Sequence, residues 1–270
     1  MHITETAIPG LLIIDLDVHG DNRGWFKENW QREKLTSLAP ELASFQPVQN
    51  NISFNHAGAT RGLHAEPWDK LISVAQGKIF GAWCDLREGS ESFGEVITHE
   101  IGPETAVFVP RGVANGFQAL EDTSYSYLVN EHWSAEARYA AVNLDIVDWP
   151  LEPTEISEKD KQHPSLEEVS PMPARRILIT GANGQLGRAL KRLLGDAEFC
   201  SHADFDITNP PERNWKQYST IINCAAYNDV NGAENDRAAA WAVNAEGPAK
   251  LARIAAENQI TLVHVSSDYI

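Results

Sequence analysis

Apolar and polar positions alternate in short runs between about residues 10 and 149, and turn residues separate these runs. The clearest runs are LLIIDLDV, KLISVAQGKIFGAWCDL, AVFVPRG and SYSYLVNEHW. A period of two is typical of strands that bury one face, and regular turn signals between such strands predict an all-β sandwich or barrel. The clearest helical segment in this part of the chain is QREKLTSLAPEL.

The pattern changes near residue 176. RRILITGANGQLGRALKRLL combines a short apolar strand, a glycine turn and an amphipathic helix, and further strands and helices alternate down to ITLVHVSSD. Such alternation predicts a parallel, doubly wound α/β sheet of the Rossmann type. Residues 151–174 are rich in Pro, Ser and charge. We therefore expect an all-β domain over residues 1–164, a linker over 165–175 and an incomplete Rossmann-like domain over 176–270.

Composition narrows the class of protein. The chain has 270 residues, which fits two domains, and a formal net charge of -16 that is concentrated in its first part. That charge argues against a nucleic-acid partner, because phosphate binding needs clustered Lys and Arg. The cysteines Cys84, Cys200 and Cys224 are widely spaced and odd in number, which indicates reduced thiols.

The sequence shows no targeting or membrane-spanning pattern. MHITETAIPG lacks a charged region followed by an apolar core, and no apolar stretch approaches the length of a membrane span. We therefore expect a cytoplasmic protein without a membrane partner.

The stretch GANGQLG places Gly181, Gly184 and Gly187 directly after the predicted strand 177–180. Glycines are needed where a tight turn brings backbone N–H groups against a pyrophosphate at a helix start, because side chains would block the approach. A plain glycine turn would have the same composition, and the strand and helix on either side favour the nucleotide-binding interpretation.

Several segments in this half resemble the extended short-chain dehydrogenase/reductases, and among them the dTDP-4-dehydrorhamnose reductases. The matching segments are GANGQLGRAL, DFDIT, INCAAYNDVNGAE, VNAEG and VHVSSDY, over residues 176–270. The resemblance implies NAD(P)H as cofactor. It also implies cofactor contacts from Gly181, Gly184, Gln185, Leu186, Gly187, Asp206, Ile207, Ala225, Ala226, Tyr227 and Ser267.

Two properties of this half follow from the resemblance. The catalytic Tyr-x-x-x-Lys of that family comes after the SSDY strand, and the sequence ends at Ile270. We therefore expect the segment to hold a nucleotide without transferring a hydride efficiently. FCSHADFD shows neither an acid for a ribose nor an Arg for a 2′-phosphate, so NAD and NADP both remain open.

The first half contains a segment, AVFVPRGVANGF, that resembles the second cupin motif with Asn115 at the metal-ligand position. The first cupin motif would show H-x-H and a following Glu, whereas His64-Ala65-Glu66 offers one imidazole. Because two histidines are missing, we expect a jelly-roll cupin sandwich that binds no metal and works with side chains alone.

A series of motifs resembles the dTDP-4-dehydrorhamnose 3,5-epimerase family over about residues 8–164. They are GDNRGWFKE, VQNN, RGLH, Lys70, CDLREGS, VPRGVANGF, YSYL, VDWPL and ISEKD, in this order. The resemblance implies epimerisation at C3 and C5 of a dTDP-linked 4-keto-6-deoxyhexose, without a cofactor. Next to the reductase-like half, it implies a fused pair of enzymes for dTDP-rhamnose synthesis.

The same resemblance assigns roles around one histidine. Removal of a proton next to a ketone needs a base, stabilisation of the enolate oxygen, and an acid on the opposite face of the sugar. The resemblance implies that His64 is the base and that Asp160 orients it. It also implies that the Lys70 cation stabilises the enolate oxygen, with Arg61 nearby. Tyr127 is implied as the acid; Tyr125 lies on the same strand face, so strand parity alone cannot separate the two.

Further family positions imply substrate binding and assembly. In relatives the GDxRGxFxE segment reaches into a neighbouring subunit, so a homodimer through the cupin domain is expected. Asn115 stands where relatives usually have a histidine, which we expect to alter binding or rate. The implied substrate-binding residues are Arg23, Phe26, Glu28, Gln49, Asn51, Arg61 and Asn115.

Other interpretations of these residues remain. Taken alone, His64 is more often a packed structural histidine than a base, and Tyr127 a half-buried strand tyrosine. Within enzymes, the alternative is an isomerase that inverts one carbon or acts on another keto-sugar nucleotide. From another class, the alternative is a non-catalytic protein that binds nucleotide sugars or NAD(P).

Overall fold

The structure is a computed structural model that describes residues 1–135 and 137–266. It divides into two compact units, Met1–Pro173 and Ala174–Ile270. Within the described ranges, no helix combines the length and the apolar character that crossing a membrane requires.

The first unit consists mainly of antiparallel strands. Their bounds are β1 (His2–Glu5), β2 (Leu12–Asp15), β3 (Val18–Asp21), β4 (Gly24–Lys27), β5 (Gln49–Asn55), β6 (Thr60–Ala65), β7 (Lys70–Gln76), β8 (Ile79–Asp85), β9 (Val96–Ile101), β10 (Thr105–Val109), β11 (Val113–Ala119), β12 (Thr123–Val129) and β13 (Ala140–Ala141). One sheet has the order β1-β2-β10-β7-β12-β5 and another the order β13-β6-β11-β8-β9, while β3 and β4 form a separate hairpin.

The inner faces of the two larger sheets share one apolar core. Ile72 and Val107 from one sheet pack in the same cluster as Trp83 and Phe117 from the other. This arrangement confirms the all-β sandwich that the period-two pattern predicts, since alternate residues of each strand face the shared core. The predicted helical segment is also present, as α1 (Arg32–Leu38) followed by a 3₁₀ turn, Pro40–Ser44.

Residues 165–173 differ from the prediction of a linker. Val169 is 9% exposed and Met172 is 1% exposed, and both belong to an apolar cluster on the outer side of the second sheet. Met172 also pairs with Arg87 in an isolated β-bridge. The segment is therefore part of the first unit, because its scattered apolar side chains cover Leu63 and Ala114.

The second unit contains a parallel sheet of order β15-β14-β16-β17, which confirms the Rossmann-like prediction. Its elements are β14 (Arg176–Thr180), α2 (Gln185–Leu190), β15 (Glu198–Cys200), β16 (Tyr218–Asn223), α3 (Val230–Asn235), α4 (Arg237–Trp241), α5 (Gly247–Glu257) and β17 (Thr261–His264). The predicted long helix is divided, since a π-helical turn, Ala242–Glu246, joins α4 to α5. Pro248 follows this turn and lacks the N–H that a continuous α-helix would use there.

Candidate active site

A cavity of about 470 Å³ opens in the first unit, beside the strands β5, β6, β11 and β12. It brings together side chains from distant parts of the chain. Those with polar or ionisable groups include Asn51, Arg61, His64, Glu66, Lys70, Asn115, Tyr125, Tyr127, Ser157, Lys159 and Asp160. All of the residues to which the epimerase resemblance assigns catalytic roles lie in this lining.

His64 and Asp160 form a hydrogen-bonded pair in the cavity. His64 lies near the end of β6, and Asp160 begins a 3₁₀ turn, Asp160–Gln162, that brings its carboxylate oxygen within 2.9 Å of His64 Nε2. The other carboxylate oxygen accepts the N–H of Gly62 at 3.1 Å. Burial alone would raise the pKa of Asp160, but hydrogen bonds from His64 and Gly62 lower this pKa to about 2.

Asp160 is therefore an anion at neutral pH and accepts the hydrogen of Nε2. This leaves Nδ1 of His64 as the nitrogen that carries the lone pair.

His163 is a neighbour of this pair that the sequence interpretation missed. Its ring makes an edge contact with the His64 ring at 4.9 Å between centroids, and its Nε2 lies 3.8 Å from Asp160. Both of its ring nitrogens are buried. Burial, and next the charge of His64, lower the pKa of His163, which favours the neutral ring.

These three side chains also resemble a set of metal ligands. One ligand atom from each of His64, Asp160 and His163 lies within 4.8 Å of the others. Imidazole and carboxylate are ligands that Zn²⁺ accepts, but both oxygens of Asp160 already accept hydrogen bonds. The site therefore fits a hydrogen-bonded dyad better than it fits a metal centre.

Lys70 lies in the same cavity, at the start of β7, and only 8% of its side chain is exposed. Its ammonium is 2.6 Å from the carboxylate of Glu66 and 4.8 Å from the centre of the Tyr127 ring. In the sequence, Glu66 stands out only as part of the incomplete first cupin motif. The structure shows it as the partner of Lys70 and as the acceptor of the Trp68 indole N–H, at 2.9 Å.

The two tyrosines of β12 both reach the cavity but differ in environment. Tyr125 is 3% exposed, stacks on Phe117 and accepts a hydrogen bond from Asn115 Nδ2 at 3.3 Å. Tyr127 is half-buried, and burial followed by the charge of Glu66 raises its pKa. Because the hydroxyl of Tyr125 is enclosed, Tyr127 is better placed to contact a ligand.

The remaining residues from the resemblance lie in two places. Arg61 donates to Asn55 Oδ1 at 2.7 Å, at the edge of the main cavity. Gln49 donates to Asn51 at 2.9 Å, and both line a smaller adjoining cavity of about 170 Å³. Asn115 pairs with His64 across the neighbouring strands β11 and β6.

Arg23, Phe26 and Glu28 lie outside this cavity. They belong to the β3–β4 hairpin and the chain that follows it, where the Arg23 side chain is 90% exposed and pairs with Asp21. Phe26 is 64% exposed, and Glu28 pairs with Lys34 on the surface. In a single chain the structure therefore does not bring these three residues to the catalytic group.

The second unit has its own cavity, of about 360 Å³, beside the glycine turn. Its lining includes most of the residues that the reductase resemblance assigns to the cofactor: Gly181, Gly184, Asp206, Ile207, Ala225, Ala226 and Tyr227. Gly181 has a φ of +70°, and a Cβ there would lie 2.5 Å from the backbone nitrogen of Ala225. Glycine is therefore required where the turn passes the next strand.

Three of the assigned cofactor residues that the structure describes do not line this cavity. Gln185 and Leu186 lie in the first turn of α2, and Leu186 is 39% exposed. Gly187 packs against the turn, since a Cβ there would lie 2.6 Å from the carbonyl of Gly181. Ser267 lies outside the described residues.

Asn183, His202 and Cys224 also line this cavity and were missed. His202 occurs in FCSHADFD, the stretch that has neither an acid for a ribose nor an Arg for a 2′-phosphate.

Comparison with protein families decides the identity of the first unit. The family model described as dTDP-4-dehydrorhamnose 3,5-epimerase matches residues 5–168. The chain belongs to the dTDP-4-dehydrorhamnose 3,5-epimerase family. A second model, the RmlD substrate binding domain, matches residues 175–270.

Individual relatives agree with both matches. The "Protein RmlC homolog" of Streptococcus pyogenes is 53% identical over 176 residues, which are 61% of this chain and 89% of that protein. A solved structure of RmlC from Streptococcus suis in complex with dTDP-D-xylose has 50% identity and a TM-score of 0.60. The match covers 64% of this chain and 94% of the Streptococcus suis chain. This likeness confirms the cupin-like fold of the epimerase unit.

The second unit has a more limited match. A dTDP-4-dehydrorhamnose reductase of Mycobacterium tuberculosis is 45% identical over 103 residues, which are 36% of this chain and 34% of that protein. The chain thus spans about a third of the reductase relative.

Proposed function

We propose that the first unit epimerises C3 and C5 of dTDP-4-dehydro-6-deoxyglucose, and that His64, Asp160, Lys70 and Tyr127 carry out the reaction. The observation that carries this proposal is the His64–Asp160 pair, which shares one cavity with Lys70 and Tyr127. Membership of the epimerase family supports the substrate class.

Proton removal is the task of His64. The Asp160 carboxylate holds the hydrogen on Nε2, so Nδ1 takes the proton from the carbon next to the C4 ketone. The electron pair of the broken C–H bond moves to the C4 oxygen and forms an enolate. Asp160 then faces an imidazolium, and its negative charge stabilises that cation.

Lys70 and Tyr127 complete the inversion. The Lys70 ammonium, held in a buried position, stabilises the negative enolate oxygen. The Tyr127 hydroxyl then gives its proton to the opposite face of the carbon, and the C4 ketone forms again. Exchange with water returns a proton to Tyr127 and removes one from His64. No metal ion or cofactor enters this sequence of steps.

The exposed β3–β4 hairpin suggests how two copies of the chain share the substrate-binding site. We propose that Arg23, Phe26 and Glu28 reach the site of a second copy of the chain, and that Gln49, Asn51, Arg61 and Asn115 bind the substrate from within their own chain. The high exposure of Phe26 supports this, since a large aromatic side chain on a hairpin is typical of an interface. The active form is then a homodimer.

The direct test is exchange of the C3 and C5 protons of the substrate with deuterium in D₂O, followed by NMR. Wild-type protein is expected to exchange both protons, and His64→Gln is expected to slow exchange by about 10³-fold, as loss of a general base does. His99→Gln, at an exposed position of β9, is the matched control and should retain the wild-type rate. Folded wild-type protein without exchange would contradict the proposal.

A second candidate is inversion of a single carbon, and Asn115 favours it. Asn115 forms a hydrogen bond with Tyr125 but cannot titrate, so this wall of the cavity lacks the ionisable group expected there in relatives. NMR analysis of the product distinguishes the two reactions, because the single inversion leaves one of the two stereocentres unchanged.

For the second unit we propose binding of NADH or NADPH in the cavity beside Gly181. The close approach of the glycine turn to Ala225 supports this, because it leaves the backbone accessible to a pyrophosphate. Titration of NADH and NADPH fluorescence tests it. Gly181→Val, which places a side chain against Ala225, is expected to abolish binding, whereas Gly195→Val, where the surroundings are open, is the control.

A further inference from the structure

Glu66 lies between two groups of the epimerase cavity and has no role in the reaction described above. It follows β6 directly, and its carboxylate contacts both Lys70 Nζ, at 2.6 Å, and the indole N–H of Trp68, at 2.9 Å. Its side chain is 18% exposed and lines the main cavity as well as the smaller one beside it. Glu66 is thus a charged group at the site of chemistry.

Lys70 needs a counterion at this position. An ammonium whose side chain is only 8% exposed is costly to bury unless an anion compensates the loss of hydration. Among the residues that the structure describes, Glu66 is the carboxylate within ion-pair distance of Lys70. The other close group is the face of the Tyr127 ring, which attracts a cation more weakly.

The ionisable and polar groups that share the cavity with Lys70 come from β6, β11, β12 and the 3₁₀ turn that carries Asp160. His64 and Arg61 lie on β6, Tyr125 and Tyr127 lie on β12, and Asn115 contributes a neutral amide from β11. Arg61 and a protonated His64 would repel the ammonium, the tyrosines are neutral, and the Asp160 carboxylate is paired with His64 and Gly62. Glu66 is therefore the group that holds the Lys70 ammonium in this position.

We infer that Glu66 is a positioning residue, which holds the Lys70 ammonium in place for the enolate oxygen. This inference rests on the proposed epimerase function. Trp68 donates to Oε2 of Glu66, the same oxygen that contacts Lys70, so that Lys70 is oriented before substrate arrives. The carboxylate also raises the pKa of Tyr127, after the larger effect of burial, and so helps to keep this acid protonated.

Glu66→Gln tests the inference, because it removes the charge and keeps the size of the side chain. We expect kcat and the rate of C3 and C5 exchange to fall by about 10- to 100-fold while KM changes by less than about threefold, since Lys70 acts on charge that develops during the reaction. The matched control is Glu100→Gln, which breaks the exposed ion pair of Glu100 with Lys78 in the same unit and should leave both constants unchanged. Unchanged exchange in Glu66→Gln would overturn the inference.

A double-mutant cycle separates positioning from a general effect on the fold. In a Lys70→Met background, Glu66→Gln should cause no further loss of exchange, because Glu66 acts through Lys70. Independent, multiplicative losses would overturn the inference. Rates are expressed per site that binds dTDP in calorimetry, and Glu66→Met replaces Glu66→Gln if the latter does not fold. If wild-type protein itself shows no exchange, the proposed function fails instead.

Discussion

The ammonium of Lys70 lies 4.8 Å from the centre of the Tyr127 ring, so the proposed enolate stabiliser and the proposed acid are in direct contact. The cation rests on the ring face and leaves the phenol hydroxyl at the ring edge available to a ligand. Tyr125, two residues earlier, has its hydroxyl enclosed by Asn115 and Phe117. The two tyrosines therefore differ in what they can do.

Substitution of each tyrosine should separate their roles. Tyr127→Phe removes the proposed proton donor, so product formation is expected to fall by about 10²-fold. His64 can still remove a proton in this variant, so deuterium should enter the substrate without inversion. Tyr125→Phe should reduce the rate by less than about fivefold. Both are measured by NMR of substrate and product in D₂O, and a larger loss in Tyr125→Phe would reverse the assignment.

Asp160→Asn should impair the base without removing it. An amide cannot stabilise the imidazolium and permits the wrong tautomer of His64, so we expect kcat to fall by about 10²- to 10⁴-fold with little change in KM. The measurement is steady-state kinetics of epimerisation. Asp148→Asn, at an exposed position of the same unit, is the control. A kcat within threefold of wild type would show that the pair is not catalytic.

Asp85 gives a prediction about stability. It is completely buried, and Arg87, Ser90 and Ser92 donate hydrogen bonds to its carboxylate. Burial alone would raise its pKa, but these hydrogen bonds, with that of Arg87 the strongest, lower the pKa to about 2. Because this folded-state pKa lies below the unfolded value of about 3.9, the stabilisation is complete above about pH 5 and is lost as the pH falls towards 2.

Asp85→Asn is therefore expected to lower the free energy of unfolding by about 3 to 5 kcal/mol at pH 7, as removal of one partner from a buried ion pair does. The difference from wild type should shrink by roughly 2 kcal/mol between pH 5 and pH 2. Urea unfolding at a series of pH values measures it. A difference that does not depend on pH would show that packing, and not charge, determines the effect.

The exposed β3–β4 hairpin predicts that substrate binding depends on the assembly of two chains. If Phe26 contacts substrate in a second copy of the chain, Phe26→Ala should raise KM by about tenfold with kcat within threefold, because it removes binding and not chemistry. Trp25→Ala, which alters the neighbouring exposed aromatic residue, is the control. Light scattering of the eluted protein reports the mass. A monomer with wild-type KM would rule out the shared site.

Chelation tests whether the His64, Asp160 and His163 cluster works without an ion. Because both oxygens of Asp160 accept hydrogen bonds, incubation with EDTA followed by gel filtration should leave the epimerisation rate within about twofold. Loss of activity that Zn²⁺ restores would instead show that the cluster holds a required metal.

The sequence predicts the two architectures well, because strand alternation and the strand–helix pattern depend on local periodicity. Val169 and Met172 show the limit of prediction from local periodicity. They lie in a charged, proline-rich segment, and nothing local reveals that they pack on a distant sheet. His163 and the contact of Glu66 with Lys70 were missed for a related reason, since a pairwise distance depends on the course of the backbone between the two residues.

The distance along the chain between His64 and Asp160, 96 residues, has a consequence for synthesis. A ribosome must complete nearly the whole first unit before the carboxylate can dock beside the imidazole. Shorter nascent chains would contain the histidine, the lysine and the tyrosine and yet have an inert pocket. The 3₁₀ turn Asp160–Gln162 therefore completes the catalytic pair only after the strands of the sandwich have been made.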